Sequence, residues 1–265
     1  MGTAVVTGGS RGFGHALAQA FLEQGRDVVI CGRVAAQVER AVSSLSAVTR
    51  PSGPRGRVAG MVCDVRRKPS VQAVWDRAVA LFGEVDVWVN NAGVNQSGDA
   101  LWKLDEQDVE RVLQTNLSGV IYGSQVAMNG MLRQGRGQIF NVEGFGSNGM
   151  MRRGLNLYGT SKRAVTHFTQ AMAREAAGTP VQVGLLRPGM MVTDFLRDSS
   201  GNFPATKRFR SALRIVGDRP LPVARFMVDN MLKNDRNGAH IVWLTRRRVW
   251  GRLVQSLFVK RDLGV

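Results

Sequence analysis

The chain has only two cysteines, Cys31 and Cys63, among 265 residues. We therefore expect no disulfide framework, two inert buried thiols, and a reducing compartment such as the cytoplasm. Prolines are few as well, 8 against 31 glycines, and no apolar run approaches the about 20 residues of a membrane-spanning helix. The first predicted strand begins almost at Met1, so we expect no signal or transit peptide. These absences favour a single α/β domain over residues 1–265.

Acidic residues are also scarce, because 20 Asp and Glu stand against 36 Lys and Arg, for a formal net charge of +16. Residues 197–265 hold 15 Lys or Arg and 5 Asp or Glu, a net charge of +10. Such a surface can meet nucleic acid, anionic lipid or an anionic substrate, and it can also serve solubility alone. The sequence shows no basic-and-aromatic groove motif or recognition helix, so we expect no nucleic-acid partner.

Short β-rich runs alternate with helical patterns, which is typical of a parallel sheet covered by helices on both faces. Seven strands are predicted, the last over His240–Thr245, and a long helix is predicted over Glu106–Leu132. The stretch from Ser43 to Arg57 is rich in Ser, Pro, Gly and Arg, and we expect a solvated insert there. Residues 195–216 form a basic segment that we interpret as a substrate lid.

A glycine-rich turn joins the first strand to the first helix, where residues 7–14 read TGGSRGFG. Glycines allow the tight turn and the close approach of backbone to a pyrophosphate, and the helix N-terminus supplies N–H donors. The alternative is a tight turn that binds nothing. We interpret the turn as a dinucleotide site that uses Gly8, Ser10, Arg11, Gly12, Phe13 and Gly14.

The end of the second strand favours NADP(H) over NAD(H). It reads Cys31-Gly32-Arg33, with no carboxylate to bind a ribose 2′-hydroxyl. Arg33 and Arg11 instead offer two guanidinium groups to a 2′-phosphate. Further cofactor contacts are expected after the next two strands, where Asp64 would accept from the adenine amino group. These contacts are Asp64, Val65, Asn91, Ala92 and Gly93.

Tyr158 and Lys162 are four residues apart, a spacing that puts both side chains on one face of a helix. A nearby cation favours phenolate, so the sequence predicts a Tyr158 pKa below its usual value of about 10. Such a phenol can donate a proton to a developing alkoxide near neutral pH. Alone, the pair is more typical of a solvated helix surface, and its interpretation depends on the other motifs.

Taken in order, these motifs resemble the short-chain dehydrogenase/reductase family over nearly the whole chain. The resemblance implies a doubly wound Rossmann fold, with a parallel sheet in the strand order 3-2-1-4-5-6-7, assembled as a homodimer or homotetramer. It implies that Tyr158 donates the proton, that Lys162 binds the nicotinamide ribose, and that Asn116 holds a water of a proton relay. It adds Pro188, Gly189 and Thr193 to the cofactor site, with Thr193 on the carboxamide, and it implies no metal.

One position departs from the family. The family places a catalytic Ser three residues after the Asn that ends strand five, and here that position is Gly144, after Asn141. A reductase needs a donor to stabilise the charge that forms on the carbonyl oxygen. Ser147 is the nearest hydroxyl, and we expect it either to replace the missing donor or to be an ordinary loop residue. Glu143 could donate only if it were protonated.

The departure itself resembles one branch of the family, the chlorophyll(ide) b reductases, whose loop is acidic-Gly-x-Gly-Ser. Residues 143–147 have this pattern, and residues 89–95, 158–163 and 187–194 also resemble the branch. The resemblance implies reduction of a chlorin formyl group with NADPH. The alternatives are another hydrophobic carbonyl, such as a quinone, steroid or fatty acyl group, and a non-catalytic NADP-binding sensor or scaffold. Gly144 supports the sensor, whereas the retained Tyr158, Lys162 and Asn116 favour catalysis.

The tail over residues 246–265 is basic and amphipathic. Its apolar residues fall on one helical face, with cations at both ends and at Arg252: Trp250, Leu253, Val254, Leu257 and Phe258. This pattern is typical of an interfacial helix on anionic lipid. A terminal helix that packs on the body or on a partner subunit is the alternative.

Overall fold

The computed structural model describes residues 2–48, 56–193, 213 and 215–256. Seven parallel strands form one sheet in the order β3-β2-β1-β4-β5-β6-β9, which confirms the predicted doubly wound Rossmann fold. Two short strands, β7 (Met190–Met191) and β8 (Gly217–Asp218), pair separately. The strands of the main sheet are β1 (Thr3–Thr7), β2 (Asp27–Gly32), β3 (Val58–Val62), β4 (Val87–Asn90), β5 (Gly137–Val142), β6 (Val181–Arg187) and β9 (His240–Val242).

Helices cover both faces of the sheet, and alternate strand residues belong to different cores. Val6, Val28 and Ile30 pack on one face, whereas Val5 and Val29 pack on the other, because side chains alternate along a strand. Both faces are therefore buried, as the near-continuous apolar strands predict. The helices are α1 (Gly12–Glu23), α2 (Ala35–Ser46), α3 (Lys68–Phe82), α4 (Glu106–Leu113), α5 (Gly119–Gln134), α6 (Asn156–Glu175), α7 (Pro220–Leu232) and α8 (Arg246–Ser256).

The strand order reverses at β1, which lies between β2 and β4. Ligands of doubly wound sheets bind in the crevice at this point, outside the carboxyl ends of the strands. A buried amide network joins the strand ends there. Asn90 Nδ2 donates to Asn141 Oδ1 at 2.8 Å, and Asn141 Nδ2 donates to Thr169 Oγ1 on α6 at 2.9 Å. The network fixes β4, β5 and α6 relative to one another.

Three sequence expectations need correction. The predicted helix over Glu106–Leu132 is interrupted by a π-helical turn, Gln114–Ser118, which separates α4 from α5. The predicted insert at Ser43–Arg57 begins too early, because α2 continues to Ser46 and buries Leu45. The seventh strand of the sheet ends at Val242, three residues short of Thr245. The lid predicted for residues 195–216 lies outside the described residues, apart from positions 213, 215 and 216.

Helix α8 is attached to the body by its arginines. The Arg248 guanidinium lies 3.9 Å from the centre of the Trp243 ring and 4.8 Å from that of Phe226. Arg252 donates to both carboxylate oxygens of Asp218, at 2.7 and 2.9 Å. The described residues of the predicted apolar face, Trp250, Leu253 and Val254, point outward, and Trp250 is 70% exposed. Within the described ranges, no helix is both long and apolar enough to cross a membrane.

Candidate active site

Tyr158 and Lys162 lie on the first turns of α6, and both are buried. Lys162 Nζ donates to the carbonyl of Val142 at the end of β5, at 2.9 Å. The backbone N–H of Tyr158 donates to Gln96 Oε1 at 2.9 Å, which joins α6 to the loop after β4. The pair therefore lies at the carboxyl ends of β4 and β5, the edge at which a doubly wound sheet binds its ligand.

The predicted effect of Lys162 on Tyr158 is wrong for the protein alone. Burial raises the pKa of Tyr158 above its usual value. Burial also lowers the pKa of Lys162, to about 8, although the negative charge of Glu143 opposes that shift. Desolvation disfavours the charged form of each group, and here it outweighs their proximity. Tyr158 is therefore protonated at neutral pH, which is the form that a proton donor needs.

Gly144, the position where the family has its Ser, faces the Tyr158 hydroxyl. A Cβ atom at residue 144 would overlap Tyr158 Oη and would lie 3.0 Å from Tyr158 Cζ and from Lys162 Cγ. Any side chain there requires Tyr158 or Lys162 to move. The missing hydroxyl is thus a steric consequence of where these two side chains pack.

Ser147 and Glu143 flank Gly144 in different ways. Ser147 is buried, its N–H donates to the Gly144 carbonyl at 3.2 Å, and its own carbonyl accepts from Arg163 at 2.7 Å. These bonds hold it in the loop beside Gly144, and its role as replacement donor stays a prediction. Burial opposes ionisation of Glu143, but hydrogen bonds from His240, Arg187 and Thr166 outweigh it and lower the pKa to about 2. Glu143 is therefore not a proton donor at neutral pH.

Asn116 lies in the π-helical turn between α4 and α5, and its amide is bonded on both sides. Its Oδ1 accepts from the Val94 N–H at 2.8 Å, and its Nδ2 donates to the Val94 carbonyl at 2.9 Å. Nδ2 also lies 3.1 Å from Ser161 Oγ on α6. Single π-helical turns often mark functional sites. This turn, Ser161 and Gln96 were not predicted from the sequence, because the bonds that bring them to the site join residues far apart along the chain: Asn116 to Ser161, 45 residues apart, and Gln96 to Tyr158, 62 residues apart.

The glycine-rich turn packs directly against the loop after β4. Gly8 and Gly12 have φ of +65° and +57°, a backbone region that favours glycine. A Cβ atom at Gly8 would lie 2.8 Å from Ala92 Cα, and one at Gly14 would lie 2.5 Å from Asn91 Nδ2. A Cβ atom at Gly12 would lie 3.8 Å from the side chain of Thr193. The predicted pyrophosphate and nicotinamide contacts therefore converge on one crevice.

The adenosine end is basic and polar. Arg33 is exposed at the end of β2. A Cβ atom at the preceding residue, Gly32, would lie 2.8 Å from Ser10 Oγ. Asp64 accepts from Arg66 Nε at 2.9 Å through each carboxylate oxygen, a salt bridge that holds its pKa below the usual range. Beside the turn, α1 and α2 flank an open cleft of about 340 Å³, lined by Ser10, Arg11, His15, Gln37, Arg40, Ala41 and Ser44. The crevice thus ends in a cluster of side chains that can donate hydrogen bonds to a phosphate.

The remaining predicted cofactor residues lie near the same edge of the sheet. Gly93 is close to the pair of Tyr158 and Lys162, because a Cβ atom there would lie 3.7 Å from Lys162 Nζ. Val65 is buried after β3 and approaches Gly119 of α5. Pro188 is buried and Gly189 has a φ of +78°, so they turn the chain from β6 into β7. Phe13 is buried on the first turn of α1.

Comparison with known proteins identifies the class. A family model described as short chain dehydrogenase matches residues 2–202. The chain belongs to this family of oxidoreductases. Chlorophyll(ide) b reductase NOL, chloroplastic, of Oryza sativa subsp. japonica is 34% identical over 262 residues, 96% of this chain and 74% of that protein.

A second relative and a solved structure agree with this assignment. The probable chlorophyll(ide) b reductase NYC1, chloroplastic, of Arabidopsis thaliana is 31% identical over 95% of this chain, which spans 52% of the relative. A short chain dehydrogenase of Burkholderia cenocepacia J2315, solved in complex with NADP, superposes with a TM-score of 0.76 at 27% identity. That match covers 91% of this chain and 95% of the other.

Restoring a side chain at residue 144 is expected to impair the enzyme. Gly144→Ala and Gly144→Ser should both lower kcat for a small soluble aldehyde, by about 100-fold, because a displacement of Tyr158 of about 1 Å is enough for that loss. Steady-state kinetics at saturating cofactor measures the effect. If Gly144→Ser were instead faster than the natural enzyme, Tyr158 would tolerate the side chain, and the missing hydroxyl would limit the rate.

Proposed function

We propose that the protein uses NADPH to reduce the carbonyl of a large hydrophobic aldehyde, such as the formyl group of chlorophyll(ide) b. The observation that carries the proposal is the buried pair of Tyr158 and Lys162 beside Gly144, at the edge where the glycine-rich turn and the loop after β4 converge. The two relatives described above, which are named as chlorophyll(ide) b reductases, support the substrate class.

In this proposal Tyr158 is the acid. When bound, the cofactor supplies a hydride to the carbonyl carbon. Tyr158 donates its proton to the carbonyl oxygen, and the Lys162 ammonium stabilises the phenolate that remains. Asn116 supports the relay that returns a proton to Tyr158. Ser147 supplies a second hydrogen bond to the oxygen.

The residues proposed to hold the cofactor follow the crevice from one end to the other. Arg33 and Arg11 bind the 2′-phosphate, as their exposed cations and the absence of a carboxylate at the end of β2 support. The turn binds the pyrophosphate, and Lys162 and Thr193 bind the nicotinamide half. The set comprises Gly8, Ser10, Arg11, Gly12, Phe13, Gly14, Arg33, Asp64, Val65, Asn91, Ala92, Gly93, Tyr158, Lys162, Pro188, Gly189 and Thr193.

Exposed apolar side chains on two loops support a large hydrophobic substrate. Trp102, after β4, is 82% exposed, and Met151, after β5, is 94% exposed. The loops touch each other, because a Cβ atom at Gly154 would overlap the carbonyl oxygen of Gly98. Flexible methionine and aromatic side chains suit a broad apolar ligand. A quinone, steroid or fatty acyl carbonyl has the same chemistry, so a panel of hydrophobic carbonyls followed by NADPH absorbance decides among them.

We also propose that α8 contacts anionic lipid, so that a cytoplasmic enzyme can reach a substrate held in a membrane, and that the protein forms a homodimer or homotetramer. Arg248 and Arg252 hold α8 to the body, whereas Trp250, Leu253 and Val254 are exposed beside the exposed cations Arg246 and Arg247. An exposed apolar face next to positive charge is typical of a helix that lies on a bilayer surface.

Tyr158→Phe tests the proposed acid. The variant should lose carbonyl reduction by at least about 100-fold, because general acid catalysis contributes about that much, while NADPH affinity changes little. NADPH fluorescence titration and absorbance loss measure the two quantities. Tyr122→Phe, the same change at the other tyrosine of the chain, is the matched control. Normal turnover by Tyr158→Phe would show that another group donates the proton.

Arg33→Asp tests the 2′-phosphate assignment. The ratio of kcat/KM with NADPH to that with NADH should fall by about 100-fold, because the change removes charge-assisted hydrogen bonds of about 1.5–3 kcal/mol and adds repulsion. Arg133→Asp, at the exposed end of α5, makes the same change in net charge away from the crevice. An unaltered coenzyme preference in Arg33→Asp would reject the assignment.

Leu253→Ser and Trp250→Ser test the lipid contact. Each should weaken sedimentation with anionic phosphatidylglycerol vesicles by about 10-fold, because each removes an apolar contact of about 1.5–3 kcal/mol, and turnover of a soluble aldehyde should be spared. Leu132→Ser, 43% exposed against 41% for Leu253, is the control. Unchanged vesicle binding would favour packing against a partner subunit.

A further inference from the structure

Glu143 is a buried carboxylate beside the catalytic pair that the proposed reaction does not use. It follows the last residue of β5 and precedes Gly144, and its side chain is 0% exposed. A buried charge is costly unless it is paired and hydrogen-bonded. We therefore expect charged and hydrogen-bonding partners around Glu143 that offset the cost of burying it, and a function that explains its place there.

The partners come from three other elements of the fold. Arg187 Nε, at the end of β6, and His240 Nε2, at the start of β9, lie 2.7 and 2.9 Å from Oε2. The Thr166 hydroxyl on α6 donates to Oε1 at 2.7 Å. One carboxylate thus ties the end of β5 to β6, to β9 and to the helix that carries Tyr158.

The same carboxylate acts on Lys162. Thr166 is one turn beyond Lys162, and its hydroxyl also lies 3.1 Å from the Lys162 carbonyl. Lys162 Nζ bonds to Val142, the residue before Glu143. Burial lowers the pKa of Lys162 to about 8, and the negative charge of Glu143 limits that fall. Val142 and Thr166 thus link Glu143 to Lys162 on both sides, and the negative charge of Glu143 favours the ammonium form.

We propose that Glu143 is a positioning residue of the reduction, a counter-charge that keeps Lys162 protonated beside Tyr158 and clamps α6 to the strand ends. The inference rests on the proposed function, in which the Lys162 ammonium stabilises the Tyr158 phenolate. The titratable groups in contact with the carboxylate are Arg187 on β6 and His240 on β9, and Lys162 on α6 interacts with it through charge.

Glu143→Gln tests the counter-charge through the pH profile of kcat. Removing the anion disfavours the Lys162 cation, so its proton is lost at lower pH. The alkaline limb, expected near pH 8 in the natural enzyme, should move to lower pH by about one unit. Arg187→Gln removes a cation from the same cluster, so its limb should move to higher pH. Glu175→Gln, an exposed carboxylate on the same helix, should leave the limb in place.

The opposite shifts separate an electrostatic role from a structural one. If the cluster only stabilised the fold, Glu143→Gln and Arg187→Gln would both lower kcat, but the alkaline limbs of their pH profiles would not shift in opposite directions. That result would overturn the proposal. If Glu143→Gln does not fold, the upward shift in Arg187→Gln carries the test, and its absence rejects the idea.

Failure of the proposed function gives a different result. If the natural enzyme reduced no carbonyl of the panel, the function would be wrong. The pH dependence of NADPH affinity, followed by fluorescence in the same three variants, would then test Glu143, because Lys162 is proposed to contact the ribose. In that case, the inference about Glu143 would be overturned if NADPH affinity had the same pH dependence in all three variants.

Discussion

The hydrogen bond from Lys162 to the Val142 carbonyl places a positive charge inside a protein that already carries a large positive surplus. The ammonium is buried, and desolvation favours loss of its proton. Its survival as a cation depends on what surrounds it, namely a backbone carbonyl and the field of Glu143. The Lys162 hydrogen bond joins α6 to the end of β5, and Glu143 joins the loop after β5 to the same helix through Thr166. Tyr158 stays protonated because it is itself buried.

Gly144 leaves the space that the Tyr158 and Lys162 side chains occupy in this arrangement. With Lys162 extended toward Val142, the Tyr158 ring and the Lys162 side chain fill the space in which a side chain at residue 144 would lie. Gly146, with a φ of +92°, lets the loop close onto Gly159 of α6. A loop that packs this tightly on a helix gains rigidity where a near-attack geometry must be held to within about half an ångström.

The fold was largely predictable from the sequence, because each strand and helix has its own local pattern. Alternating β-rich and helical runs indicate the doubly wound sheet, and the TGGSRGFG turn indicates the crevice. The π-helical turn at Asn116 was not predictable, since no residue between Gln114 and Ser118 breaks a helix and the turn depends on the bonds to Val94 and Ser161. The burial of Tyr158 and Lys162 could not be predicted from the sequence either. Spacing shows that Lys162 neighbours Tyr158, but only packing shows that desolvation outweighs the neighbour.

The Glu143 cluster shows why chemistry at such a site escapes a linear analysis. Its partners lie 23, 44 and 97 residues away along the chain, and each is unremarkable in its own segment. A carboxylate after a strand suggests a solvated loop until β6, β9 and α6 close around it. Once they do, the three donors make ionisation nearly obligatory, and the anion cannot serve as an acid. Its remaining contribution is its negative charge, which favours the charged forms of the groups around it, among them the buried Lys162 ammonium one helical turn from Thr166. The two residues therefore have complementary parts in the proposed reaction: Gly144 leaves room for the Tyr158 hydroxyl, and Glu143 would support the Lys162 ammonium that stabilises the phenolate.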